Sequence, residues 1–196
     1  MPRDATLQAL LDELYAAGQT NDADEDNRAK KMLNLEPATA QLISTLIQLG
    51  KRHQILEIGT SNGYSTIWLA TAAQPHGGSV VSIDRDPAKH TLADENLRRA
   101  GVRGAVTLHV GDATQIVAEL PGPFDCVFFD ADRLSAPAQL TALLPKLSPD
   151  VLLLHDNALS HPDEIAGYLA MVERLPDFDQ IIVPIGKGLS VAYRAG

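Results

Sequence analysis

The chain has 196 residues, 45% of them apolar and 21% charged, which suits one folded domain with a full core. Its 25 acidic against 16 basic residues leave a net charge of −9, which excludes a general binder of the nucleic-acid backbone, whose affinity rests on clustered positive charge. One cysteine, Cys126, excludes an internal disulfide and a Cys-rich metal site and fits a reducing compartment; with no apolar leader in Met1-Pro2-Arg3-Asp4 and no run near the ~20 residues of a membrane span, the expectation is a cytoplasmic protein without a membrane partner.

Residues 6–17 place Leu7, Leu10, Leu11, Leu14 and Tyr15 on one helical face, and Gly18 is expected to end that helix. Residues 21–27 are acidic and, Ala23 aside, free of apolar side chains, and read as a mobile loop. No glycine turn organises these acids as a calcium loop would. Pro37 precedes a second helix over 39–49, with Leu42, Ile43, Leu46 and Ile47 on its apolar side.

From there strands and helices alternate. Strands are predicted over 54–58, 79–84, 106–110, 124–129 and 151–154. The intervening helices are 63–73, 87–100, 113–120, 137–147 (interrupted near Pro145) and 163–175. Asp86-Pro87 is an N-cap followed by proline at the first helical position. Two last strands, 180–183 and 189–193, are joined by too few residues for a crossover and should form an antiparallel hairpin. Near-continuous apolar strands between helices mean a parallel sheet covered on both faces. The fold class expected is therefore α/β: a doubly wound, mostly parallel seven-stranded sheet with a C-terminal antiparallel hairpin. A single domain over 1–196 is expected, with helices and the acidic loop in 1–50 appended to a cofactor-binding core in 51–196.

Ligands of open parallel sheets bind beyond the carboxyl ends of the strands. Those ends carry Glu57, Asp84, Asp112, Asp130 and Asp156-Asn157. Any one of these can cap a helix, but the whole row is costly without a ligand or cation to engage it. The first strand runs into a tight turn bounded by Gly59 and Gly63. The helix that follows points free N–H groups and its positive dipole end at that turn. Asp84 lies 25 residues beyond Gly59, where a carboxylate accepts both hydroxyls of a ribose. The turn lacks the third glycine of a dinucleotide fingerprint, and Glu57 beside it would repel a pyrophosphate. A sulfonium cofactor bearing an amino acid, S-adenosylmethionine, fits better than NAD.

Several segments carry a resemblance: Leu56-Glu57-Ile58-Gly59-Thr60-Ser61-Asn62-Gly63-Tyr64-Ser65, Ile83-Asp84-Arg85-Asp86, Gly111-Asp112-Ala113, Phe124 to Arg133, Asp156-Asn157, and Pro184-Ile185-Gly186-Lys187-Gly188-Leu189. In this order the chain resembles the class I S-adenosylmethionine-dependent methyltransferases. More narrowly, it is similar to the cation-dependent O-methyltransferases of the caffeoyl-CoA and catechol type, including small bacterial members. The resemblance implies a Rossmann-like methyltransferase fold. Gly59, Gly63 and Ser65 would hold the methionine end of the cofactor with Glu57 near, and Ser61, Tyr64 and Arg85 belong to the same cofactor set. Asp84 would take the ribose, Asp112 and Ala113 the adenine, and Asp130 would stand beside the cofactor. The resemblance further implies that Asp130, Asp156 and Asn157 bind a divalent cation, usually magnesium, and that the protein is a homodimer.

The activity so implied is methyl transfer to a hydroxyl of a small aromatic, catechol-like acceptor, with Asp130 and Arg133 as catalytic residues. Arg133 stands where the family commonly has a lysine base. Arginine does not deprotonate in a protein, so its part would be to stabilise an oxyanion. His155 and His161 flank Asp156-Asn157 as other places for the proton. Two alternatives are carried: an NAD-linked oxidoreductase, and a catalytically impaired cofactor-binding protein of the same fold.

Overall fold

Alternate residues of the central strands feed two apolar layers, and this decides the architecture. The computed structural model describes residues 4–196, so the reading of Met1 to Arg3 as lacking a leader lies outside the described residues. The strands are β1 (Gln54–Ile58), β2 (Ser79–Asp84), β3 (Val106–Val110), β4 (Phe124–Phe129), β5 (Leu147–His155), β6 (Asp179–Val183) and β7 (Leu189–Arg194). They form one sheet in the order β3-β2-β1-β4-β5-β7-β6. The first five pair in parallel; β7 runs antiparallel to both β5 and β6. The fold class read from the sequence is the one observed.

Helices α1 (Ala5–Asp24), α2 (Pro37–Gly50), α3 (Tyr64–Ala73) and α4 (Pro87–Arg99) cover one face. There Cys126 and Phe128 of β4 meet Leu11, Ile43, Ile67 and Leu97. Helices α5 (Ala113–Glu119), α6 (Ala136–Leu143) and α7 (Pro162–Glu173) cover the other, where Val127 and Phe129 meet Val117, Leu140, Ile165 and Tyr168. Burying one such aliphatic or aromatic side chain stabilises the fold by about 1.5–3 kcal/mol, so the two layers hold the sheet rigidly under the site. Cys126 is fully buried, and burial pushes its thiol up to about 12, which makes it a packing group without nucleophilic character.

Three sequence expectations are corrected. Gly18 does not end the first helix: α1 continues to Asp24, and Gly18 is buried in it because a side chain there would strike Asn34. Asn34 in turn donates to the Leu14 carbonyl at 3.1 Å. Residues 21–27 are not simply a solvated run either. Asn21 to Asp24 form the last turn of α1, and the Asp22 carboxylate accepts from the backbone N–H of Met32 (2.6 Å) and Leu33 (2.8 Å). The acid needed a partner ten residues away, which no local pattern reveals. Strand β5 begins at Leu147, not 151, because the ladder shifts between Phe124 and Cys126 and leaves room for Pro149.

Candidate active site at the carboxyl edge of the sheet

Strand order reverses between β1 and β4, so a crevice opens at their carboxyl ends. Register sets what stands there. Ile58 pairs with both Ile83 and Phe129, and Phe129 pairs with His155. The next residues therefore form one row across four strands: Asp84, Gly59, Asp130, Asp156. A glycine sits among three aspartates, and its φ of 116° and the Asp130 carbonyl beside it leave no space for a Cβ. Above the row lies a cavity of about 1020 Å³, lined by Gly59 to Asn62, Ser65, Asp84, Arg85, Asp130 to Arg133, Asp156, Asn157, His161 and Lys187, among others. A smaller hollow of about 50 Å³ lies on the far side of Asp84, between Ile83, Gly111, Ala113 and Gln139.

The turn after β1 is held from both sides. Ser61 adopts φ 47°; its N–H donates to Asp84 at 2.7 Å, and its hydroxyl donates to the Met32 carbonyl at 2.7 Å. The second Asp84 oxygen accepts from the Asp86 N–H at 3.0 Å. Asp84 is thus oriented by two backbone amides while still facing the cavity. Met32 and Leu33, gripped by Asp22, form the roof on the N-terminal side.

Not every predicted cofactor residue reaches the cavity. Glu57 is fully buried beneath it and accepts the hydroxyls of Ser65 and Ser82 at 2.6 Å and of Thr66 at 2.5 Å. Burial outweighs these three donors and raises its carboxyl to about 7. Gly63 provides the left-handed turn before α3 (φ 84°) and lets Ala93 of α4 approach. Tyr64 packs against Tyr15 and Trp68. Asp112 caps α5, accepting from Thr114 and Gln115; its neighbour Ala113 lines the small hollow. These residues build the wall from behind, whereas Gly59, Ser61, Ser65, Asp84, Arg85, Ala113 and Asp130 form its surface.

On the other side of the row, Asp130 and Asp156 directly follow the ends of adjacent strands β4 and β5, and the Asp156 N–H donates to the Phe129 carbonyl at 3.1 Å. Burial, and then the negative charge of Asp156, hold the Asp130 carboxyl well above the usual range; burial raises Asp156 as well. One Asp156 oxygen is buried with no hydrogen-bond partner. Two crowded carboxylates with an orphaned oxygen suit a hard cation. Among the described residues, no group of three His, Cys, Asp or Glu side chains is arranged to hold a metal, so an amide or solvent must complete any shell. The expected third ligand, Asn157, is in a left-handed turn (φ 68°), and its oxygen accepts from Arg133 Nη1 at 3.1 Å.

Arg133 is 9% exposed, so it is no loose surface charge. Its Nε and Nη2 grip Glu164 at 2.8 and 2.6 Å. Sequence reasoning missed two further groups. Lys187 lines the cavity and pairs with Glu36 at 3.0 Å; burial works against its charge, but Glu36 prevails and raises its pKa. The Gly-Lys-Gly run was the available signal. Asp22 is the other, acting through Met32 and Leu33. Of the two histidines, His155 does not reach the cavity. It stacks on Phe129, touches Tyr168, and burial lowers it to about 4. His161 does line the cavity, and burial, then the charges of Arg133, Arg28 and Lys187, lower its pKa against the pull of Glu164.

A doubly wound sheet with this reversed hairpin, a two-glycine turn and an aspartate at the end of β2 defines a class I methyltransferase architecture. Residues 56–158 match a family model described as a methyltransferase domain. The chain is 34% identical to a catechol O-methyltransferase of Mycobacterium tuberculosis over 157 residues, covering 80% of this chain and 69% of that protein. It is also 34% identical over 131 residues to a catechol O-methyltransferase of Niastella koreensis, covering 65% of this chain; it spans 59% of that relative's length. Among solved structures, the O-methyltransferase TomG of Streptomyces achromogenes, in complex with S-adenosylmethionine, is similar with a TM-score of 0.78 and 28% identity, covering 99% of this chain and 91% of that one. The chain belongs to the S-adenosylmethionine-dependent O-methyltransferase family.

Proposed function

We propose that the protein transfers a methyl group from S-adenosylmethionine to a hydroxyl of a small aromatic, catechol-like acceptor, with a divalent cation, magnesium, at the acceptor. The observation that carries this is the row Asp84, Gly59, Asp130, Asp156 on the cavity floor. The names of the catechol O-methyltransferase relatives support the acceptor class. The NAD-linked alternative is not favoured by this family membership.

S-adenosylmethionine, when bound, supplies a methyl group on a sulfonium that is its own leaving group. Asp84 would accept the ribose hydroxyls, and the hollow at Ala113 and Gly111 would take the adenine. Gly59, Ser61 and Ser65 would hold the methionine end, with Arg85 along the outer wall. Asp130 and Asp156 would hold the cation, which would supply a lowered pKa for the acceptor hydroxyl. Arg133 and Lys187 supply fixed positive charge on the acceptor side. Neither serves as base: arginine stays charged, and the ion pair with Glu36 keeps Lys187 protonated. His161 is then the neutral nitrogen at the cavity wall that takes the acceptor proton. Much of the acceleration comes from orientation by this rigid floor.

The whole of 1–196 is proposed to work as one domain. A homodimer is proposed with it, supported by Ile181 and Ile182, exposed on the edge strand β6. Among the described residues no helix is long and apolar enough to cross a membrane, and a cytoplasmic setting, where Cys126 stays reduced, is part of the same reading. Incubating the protein with labelled S-adenosylmethionine, magnesium and catechol, then identifying products by mass, tests the function. A monomethylated catechol supports it; no product with any of a panel of aromatic hydroxyls refutes it.

A further inference from the structure

Arg133 commits three N–H groups inside the protein: two to Glu164, at 2.6 and 2.8 Å, and one to the amide oxygen of Asn157, at 3.1 Å. Both Arg133 and Asn157 are nearly buried, at 9% and 8% exposed. The backbone that carries Asn157 is held in place. Its neighbours Ala158, Leu159 and Ser160 donate their N–H groups to Gly188 and Lys187 carbonyls at 2.8 to 3.0 Å. The guanidinium occupies one of the two lone pairs of the amide oxygen, and a metal cation on the other would lie against the guanidinium charge. The neighbouring Asp156, by contrast, has an oxygen with no partner at all.

We propose that Arg133 is a positioning residue that keeps Asn157 out of the cation's ligand shell, so that Asp130 and Asp156 would be its protein ligands and hold it weakly, with solvent or acceptor oxygens completing the shell. This rests on the cation reading above. It makes the chain's metal dependence a property of one side chain: the site has the donors for a tighter shell, and Arg133 withholds one. Cation and acceptor would then bind together, the acceptor's oxygens supplying what Asn157 does not.

Titration with Mn²⁺, read by the electron paramagnetic resonance signal of the free ion and with no acceptor present, tests this. The proteins are wild type, Asn157→Ala, Arg133→Gln, the double variant, and Asp130→Asn to show that the signal belongs to this site. Asn157→Ala alone is expected to leave the wild-type affinity within about twofold. Arg133→Gln is expected to tighten binding by roughly tenfold, the scale of an outer-sphere contact, and Asn157→Ala in that background to remove the gain. Loss of Mn²⁺ affinity in Asn157→Ala alone, or no tightening in Arg133→Gln, overturns the inference while leaving the cation reading intact. Binding that Asp130→Asn does not abolish, or no binding by wild type or Arg133→Gln, overturns both. The Asn157→Ala result stands by itself should Arg133→Gln fail to fold.

Discussion

Ser65, on the cavity wall, donates its hydroxyl at 2.6 Å to Glu57, which lies wholly beneath that wall. The acid of the sequence motif thus organises the turn after β1 through hydroxyls and does not itself reach the cavity. Glu57→Ala leaves the hydroxyls of Ser65, Thr66 and Ser82 without their acceptor. A loss of about 2–4 kcal/mol in unfolding free energy is expected in urea titration, with weaker S-adenosylmethionine binding.

The same residue sets a pH dependence. Its carboxyl is raised from 4.5 to about 7 on folding, so the folded state binds the proton more tightly than the unfolded one. Its contribution is fully present below about pH 4.5 and is lost as pH rises through 7. Over that window the loss is about 3 kcal/mol for this one group. Glu57→Gln cannot ionise, so denaturation across pH 4.5–7.5 should show a flatter stability profile than wild type. Parallel profiles would mean that Glu57 is ionised throughout.

Asp84 is expected to govern cofactor affinity with little effect on the acceptor. It is oriented by the N–H groups of Ser61 and Asp86, and Asn in its place keeps size while losing the charge-assisted acceptor. Asp84→Asn should raise the S-adenosylmethionine dissociation constant by about 10–100-fold by calorimetry, with the acceptor KM changed far less.

His161 is expected to separate chemistry from binding. His161→Gln removes the neutral nitrogen at the cavity wall, and kcat should fall by about 100-fold. S-adenosylmethionine affinity should be unchanged, and the acidic limb of the pH–rate profile, which lies below the ordinary histidine range in wild type, should disappear. An unaltered profile would send the proton elsewhere.

The sheet was legible because each central strand is apolar on both faces and each ends in an acid or at a glycine, signals that lie within six residues. The short Pro184 to Gly188 connection likewise announced the antiparallel hairpin that β6 and β7 form. What stayed hidden depends on partners far apart in the chain. Gly18 reads locally as a stop, and only Asn34 packed against it explains a glycine inside α1. Asp22 reads as solvated until Met32 and Leu33 fold back on it. At the site, the motif located Glu57 and Asp112 correctly along the chain but not their facing. A strand-end acid can turn toward the ligand or back to hydroxyls and helix amides, and that choice is made by Ser65, Thr66 and Ser82 in one case and by Thr114 and Gln115 in the other.

The Gly59–Ser65 turn and Asp84 are proposed to form a sulfonium-cofactor site and no dinucleotide site. Calorimetric titration of one protein sample with S-adenosylmethionine and, separately, with NADH tests it most directly. Saturable binding of one S-adenosylmethionine per chain is expected, at least tenfold tighter than NADH and weakened by Asp84→Asn. S-adenosylmethionine binding no tighter than NADH, or indifferent to Asp84→Asn, would contradict it.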